Sequence, residues 1–429
     1  LNITPKLNRQ QSPPAAAFAA FEIAQVRAHQ LVHNIPAYTL EAGEQPVIRI
    51  DFVIGSGSWD EEVRLAASLT NRMLQEGTRF RSGREIAEQL DYFGAYLQYE
   101  TGADRSGMTL YTLHKHLGAV LPTVLELLFQ PGFPLTELET TVRNHLQQLE
   151  VDAQKVSSMA RKQFMKSVFG ETHPYGYQTL AEDLRAVRPD QLAGFHNRQY
   201  TTDNVTIVIA GWHPEAALET LNKALSQIEP TLKDIAERQH PIQSSLPGRI
   251  EVPKAGALQH ALRLGKPMVG KNDPDYVGLK VLNTLLGGYF GSRLMSNLRE
   301  NKGYTYGVGS AVMSYERAAF FTIATEVGAD VSEAAIAEIF KELDLLRAEP
   351  VGQEELDAVR GYLQGVYLSN FDGAFALADR FKDVHFFGLD YSYYDHYITT
   401  VQSITPTQLH ALAVKHFDPT SLITVRAGS

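Results

Sequence analysis

Residues 47–54 alternate strictly. Ile48, Ile50, Phe52 and Ile54 fall on one side and Val47, Arg49, Asp51 and Val53 on the other, the period-two pattern of a half-buried strand. After a turn at 55–60, Leu65, Leu69 and Met73 recur at intervals of four, predicting a helix over 61–75 that Gly77 stops. A shorter helix is predicted over 84–93, then paired strands at 96–100 and 107–112. Two helices follow at 117–129 and 136–154, around the turn QPGFP. HPYG at 173–176 reads as a loop, 189–198 as a helix and 205–211 as a buried strand.

The second half repeats that order. A strand at 258–265 leads to a helix that Asp273 caps, with Pro274 in its first turn and Leu279, Leu282 and Leu286 inside. Strands at 304–313 and 319–326 precede helices at 331–348 and 353–368. The ends of the halves match best: QLAGFHNRQYTTDNVTIVIAG starts at Gln191 and QLHALAVKHFDPTSLITVRAG at Gln408, an offset of 408 − 191 = 217, and Pro189 and Pro406 keep it. A period this long means two similar domains rather than a solenoid. Between them, EPTLKDIAERQHPIQSSLP is polar and proline-containing. The expected division is therefore an N-terminal domain over 1–228, a linker over 229–247 and a C-terminal domain over 248–429. The fold class is α+β, each domain pairing an antiparallel-rich mixed sheet with helices on one face.

The densest stretch is LLGGYFGSRLMSNLRENKGYTYGVGS, 285–310. Ser292 is placed to cap a helix whose inner face holds Leu294 and Leu298, and Gly303 ends it. The chain leaves as a strand with Tyr304, Tyr306 and Val308 on one side and Thr305 and Gly307 on the other. Arg299 at the helix end and Tyr306 at the strand start bring a five-donor cation and a phenol together, a pair suited to holding a peptide carbonyl. A helix–strand corner with a surface arginine and a packed tyrosine would give the same pattern.

DPDYVGLKVLNTLLGGYFGSRLMSNLRENKGYTYGVGS resembles the second half of the inverted-zincin peptidases: pitrilysin, insulysin and the mitochondrial processing peptidase. VPKAGALQHALRLGKP, 252–267, resembles the strand that opens that half. The resemblance implies two such domains closing like a clamshell around a peptide, with Arg299 and Tyr306 binding substrate near a zinc. Cleaving members carry HxxEH on the first helix of the first half, where two histidines ligate zinc and the glutamate activates water. LAASLTNRMLQEGT resembles that segment, yet Ser68, Asn71 and Arg72 stand where His, Glu and His belong. The further glutamate ligand falls near Gln147 or Gln148. Asparagine is no general base at neutral pH, and Arg72 puts a permanent cation where a dication would sit. The pattern implies a subunit without zinc, whose partner supplies it.

Other histidines offer no substitute. His29 and His33 form HQLVH without a glutamate, and in a strand they would lie about 13 Å apart. His114 and His116 lack a third ligand, and His145 lies on the helix of the missing glutamate without its first-helix partners. The aromatic run FFGLDYSYYDHY, 386–397, could line a peptide cleft but also suits helix packing. GGYFGS follows a helix, not a strand, so it is no phosphate-binding fingerprint.

Composition narrows the partners. With 429 residues, 44% hydrophobic and 21% charged, the chain is globular. A net charge of −10 argues against nucleic acid and mildly favours basic peptides. Zero cysteines exclude disulfides, cysteine catalysis and thiolate metal sites. No apolar run has the ~20 residues of a membrane helix. The leading LNITPKLNRQQSPPAAAF is polar, proline-broken, expected to be mobile and compatible with the start of an exported protein; the bacterial periplasm is favoured over the cytoplasm. Three functions compete. One is the substrate-binding subunit of a heterodimeric zinc endopeptidase, holding peptides for a homologous HxxEH-bearing partner. The others are a structural subunit of a larger complex and a stand-alone peptide-binding protein.

Overall fold

The computed structural model describes residues 22–233 and 238–428; the expectation for the leading stretch falls outside them. Its strands are β1 (Arg27–Gln30), β2 (Pro36–Glu41), β3 (Val47–Ile54), β4 (Tyr96–Thr101), β5 (Ser106–Leu113), β6 (Val205–Gly211), β7 (Gly248–Val252), β8 (Gln259–Met268), β9 (Thr305–Ser314), β10 (Ala319–Gly328) and β11 (Ile423–Ala427). The first-half helices are α1 (Ala66–Met73), α2 (Gly83–Tyr92), α3 (Leu117–Phe129), α4 (Leu135–Ala153), α5 (Val156–Phe169), α6 (Ala181–Ala186), α7 (Pro189–Gln199) and α8 (Pro214–Leu225). Those of the second half are α9 (Tyr276–Asn283), α10 (Ser332–Ala348), α11 (Gln353–Ser369), α12 (Ala374–His385), α13 (Ser392–Ser403) and α14 (Pro406–His416).

The two sheets have one plan. The first runs β1-β2-β6-β3-β5-β4 and the second β7-β11-β8-β10-β9. In each, a parallel pair (β2 with β6, β7 with β11) adjoins an antiparallel run ending on a hairpin strand, β4 or β9, with an open edge. The 217-residue offset relates α7 to α14 at both ends. The fold class is thus α+β in two similar halves.

Each sheet buries its main face under helices of its own half, and the opposite face receives a helix from the other half. On α5, Ala160, Phe164 and Val168 pack on Ala261, Phe320, Ile423 and Val425 of the second sheet. Gly265 allows this contact, since a Cβ there would lie 2.7 Å from the Phe164 ring. Reciprocally, α12 lays Ala374, Ala378 and Phe381 on Leu40, Val208 and Ala210 of the first sheet. This corrects the reading of β3 as half-buried. Arg49 and Asp51 are buried, and their charges are met across the halves: Arg49 Nη2 donates to Asp379 Oδ1 at 2.7 Å and Lys382 Nζ lies 3.2 Å from Asp51 Oδ1. Buried charges persist only when paired in this way.

The described linker residues contain no helix or strand and lie along the end of α5, where Gln243 N donates to Phe169 O (3.0 Å) and Ser245 N to Ser167 O (2.7 Å). The aromatic run at 386–397 proves to be largely helix packing, with Tyr394 buried beside Phe371 and Phe381. Among the described residues, no helix is long and apolar enough to cross a membrane.

Candidate functional site

Helix α1 carries Ser68, Asn71 and Arg72, the positions that the resemblance reads as altered metal ligands. It begins at Ala66 rather than Glu61, because 61–65 fold back as its cap: Leu65 takes a left-handed conformation (φ 69°), and Glu61 accepts the N–H groups of Leu65 (3.1 Å) and Ala67 (2.9 Å). Burial pushes the Glu61 carboxyl up to about 7 despite those bonds. A raised folded-state pKa means stability that is full below the unfolded value and is lost as pH rises through the folded one. Urea unfolding should therefore show the stability of wild type relative to Glu61→Gln falling between pH 4.5 and 7. A difference that grows with pH would show the N–H bonds to outweigh burial.

The expected inner stripe is observed, with Leu65, Leu69 and Met73 buried together. Beside it is a cavity of about 400 Å³ lined by Ser68, Asn71, Arg72 and Gln75, by β4 and by His145 of α4. Two of the four positions, Ser68 and Asn71, are engaged in hydrogen bonds of the fold. Ser68 Oγ donates back to Leu65 O at 3.2 Å. Asn71, 1% exposed, donates Nδ2 to Glu100 O (2.7 Å) and Gly107 O (3.2 Å) and accepts from the Tyr200 hydroxyl (3.2 Å), which ties α1 to the β4–β5 hairpin. Arg72 is exposed at the cavity. Gln147 and Gln148 are exposed and do not line it. Two positions on a helix turn a side chain by ~200°, so where His145 faces the cavity, Gln147 faces away. Burial, and then the Arg72 charge, hold the His145 imidazole below its usual range. A hydroxyl, an amide engaged with carbonyls, a guanidinium and a lone imidazole do not fit zinc. Among the described residues, no group of three or more His, Asp or Glu is placed to hold a metal ion. His29 bonds Thr39 (2.7 Å) and His33 bonds Leu225 O (3.2 Å), while His114 and His116 lie against Trp212 and Phe93.

The second element runs from α9 to β9. Two π-helical turns, Thr284–Gly288 and Met295–Asn301, flank the glycine-rich loop. Such turns absorb an extra residue and recur at functional sites. Gly287 lets the first turn approach β9, since a Cβ there would be 2.7 Å from Ser310 Oγ. Leu294 and Leu298 are buried as expected. Ser292 makes no cap: its Oγ is buried without a hydrogen-bond partner, and Arg293, bidentate to Glu355 (2.7 and 2.8 Å), anchors the helix start instead. Gly303 (φ 65°) ends the turn as predicted, with Tyr304 N donating to Leu298 O at 2.8 Å. Gly303→Ala should cost about 1 kcal/mol, measured by denaturant unfolding, because alanine resists the left-handed region.

The predicted strand alternation fails at one point. Thr305 pairs with Val327 and Val308 with Thr325, leaving Tyr306 and Gly307 opposite Glu326 alone, a β-bulge. Val308 stays in the core, whereas Tyr306 is 92% exposed. Tyr306 and Val308 therefore do not share a face, and the alternative of a packed tyrosine does not describe Tyr306. The guanidinium of Arg299 lies over both its ring (5.4 Å) and that of Phe290 (4.6 Å). Phe290, exposed on the glycine loop and not singled out by the sequence, is the third member of this stack. Stacking fixes the plane of the arginine while leaving its donors to solvent. Tyr306 also stands at the rim of a groove of about 600 Å³ between α5 and the β8–β10–β9 face.

Comparison with known proteins bears on the family and the fold. A family profile described as insulinase (peptidase family M16) matches residues 39–181, and one described as peptidase M16 inactive domain matches 186–363. An uncharacterized zinc protease of Bacillus subtilis, YmxG, is 26% identical over 77% of this chain and 83% of its own length. Another, from Mycobacterium leprae, is 24% identical over 84% and 82%. Among solved structures, a peptidase M16 inactive domain from Pseudomonas fluorescens superposes with a TM-score of 0.85 at 26% identity, covering 94% of this chain and 98% of that one. A Helicobacter pylori protease has the same fold (TM-score 0.85, 18% identity, 95% and 100% covered).

Proposed function

The chain belongs to the M16 (insulinase) peptidase family, and from that premise we propose that it is the non-catalytic, substrate-binding subunit of a two-chain zinc endopeptidase. A homologous partner bearing HxxEH supplies the zinc and the activated water. This chain supplies Arg299 and Tyr306, which hold a carbonyl of an extended peptide near the scissile bond. The observation that carries the reading is the contrast between the two elements. On α1, every altered side chain is occupied by hydrogen bonds or presents a cation, whereas the Arg299–Tyr306 pair is ordered by stacking and open to solvent. A donor pair pre-oriented by stacking, whose side chains make no hydrogen bond among the described residues, suits a ligand carbonyl.

The test is co-purification of the tagged chain with an HxxEH-bearing homologue, followed by peptidase assays of each chain and of the mixture. Chelator-sensitive cleavage confined to the mixture is expected. Chelator-sensitive cleavage by this chain alone, or full activity of the homologue without it, would overturn the reading.

A further inference from the structure

The groove beside Tyr306 has a charge character of its own. Its floor is the α5-facing side of the second sheet, with Ala261 and Arg263 from β8 and Ala324 and Glu326 from β10; the bulge at Tyr306–Gly307 forms one wall and Ser157 of α5 the other. Arg263 points into it from a largely covered position on a central strand. Arg161, one helical turn beyond Ser157 on α5, is exposed and lies outside the groove's lining, and burial followed by the Arg161 charge holds the Arg263 guanidinium below its usual range. Among the described residues, Arg161, Arg263 and Arg299 make no ion pair, and Glu326, the acid on the groove, bonds none of them through its side chain. The first turn of α5, at the same wall, adds the partial positive charge of a helix N-terminus. A partly covered, unpaired cation that feels a second like charge costs free energy in the unliganded protein. An anion placed between them removes that cost.

We propose that this groove is a specificity subsite for a carboxylate on the bound peptide, held by Arg263 in the groove and favoured by the charge of Arg161 on α5, while the backbone passes Arg299 and Tyr306. The proposal rests on the reading of this chain as a peptide-binding subunit and adds the substrate class. It runs against the mild preference for basic peptides that the net charge of −10 suggests, because local geometry, not net charge, decides at a groove.

The experiment measures Kd by fluorescence anisotropy for the purified full chain. The probes are ten-residue labelled peptides without secondary structure, carrying one Asp, Asn or Lys scanned through successive positions, each with a free or an amidated C-terminus. At one position Asp should bind about tenfold more tightly than Asn, and Lys more weakly than both. Arg263→Gln should collapse that preference, and Arg161→Glu, a substitution at an exposed site that spares the fold, should reverse it towards Lys. A preference kept in amidated peptides assigns the carboxylate to a side chain, and one confined to free peptides assigns it to the C-terminus. Equal affinity for Asp, Asn and Lys at every position overturns the proposal and leaves the peptide-binding reading intact. Failure of every peptide to bind overturns both.

Discussion

In the reconstituted two-chain enzyme, Arg299→Ala or Tyr306→Phe should lower kcat by about 10²–10³ while complex assembly and the partner's zinc content stay unchanged. Charge builds on the carbonyl oxygen as water adds, so a donor aimed there acts on turnover more than on binding. Arg299 is held in plane by Phe290 and Tyr306, with ring distances of 4.6 and 5.4 Å, and its side chain makes no hydrogen bond or ion pair among the described residues. Tyr306 is exposed, so removing its hydroxyl should shift folding stability by less than ~0.5 kcal/mol, which separates a catalytic effect from a folding one. Arg299→Lys should rescue little, because an ammonium has neither the planar fork nor the stacking face. Phe290→Ala, which frees the guanidinium to rotate, should fall between wild type and Arg299→Ala. The measurement is kcat/KM of the pair on one unstructured peptide. Values within about twofold of wild type for both main variants, ~0.4 kcal/mol of transition-state stabilisation, would remove the role assigned to them.

What the sequence made legible followed from local periodicity. The β3 strand over 47–54, the Leu65–Leu69–Met73 stripe, the stop at Gly303 and the 217-residue repeat are short-range or self-similar signals, and the structure has each of them, though β3 is buried on both faces. Long-range packing left weaker marks. Ala160, Phe164 and Val168 lie at helical spacing on α5, but nothing local shows that they cross to the second sheet, or that α12 returns to the first. For the same reason Arg49 and Asp51 read as a polar face, since the charges that meet them come from Asp379 and Lys382, some 330 positions away. At the site, the alternation through Tyr304, Tyr306 and Val308 concealed a bulge that a glycine within a strand can signal. The π-turns have no such marker. Gln147 was placed by counting residues, and an error of one or two positions on a helix is enough to turn a side chain from cavity to solvent.

Asn71 provides the sharpest test of whether the metal site can be rebuilt. Asn71→Asp keeps the shape of the side chain, removes its two N–H donors and sets a carboxylate against the carbonyl oxygens of Glu100 and Gly107. At 1% exposure solvent cannot screen that contact, so the cost should be about 3–5 kcal/mol by denaturant unfolding at neutral pH. The sign of its pH dependence follows. A carboxyl disfavoured as the anion in the fold has a raised pKa, so the loss should shrink as pH falls and the group regains a proton to donate. Ser68→His, Asn71→Glu and Arg72→His together should inherit much of this penalty, because the glutamate also deprives both carbonyls of their donor. The triple variant would present two imidazoles, but α4 offers only His145 at the cavity, and Gln147 and Gln148 face solvent, so no carboxylate completes the shell. Metal analysis of the purified triple variant should find far less than one zinc per chain, and its Tm should be the same, within error, with and without added zinc. A stoichiometric zinc that raises Tm would show that the altered positions alone had disabled the site, and that neither the Asn71 tie nor the missing α4 carboxylate stands in the way.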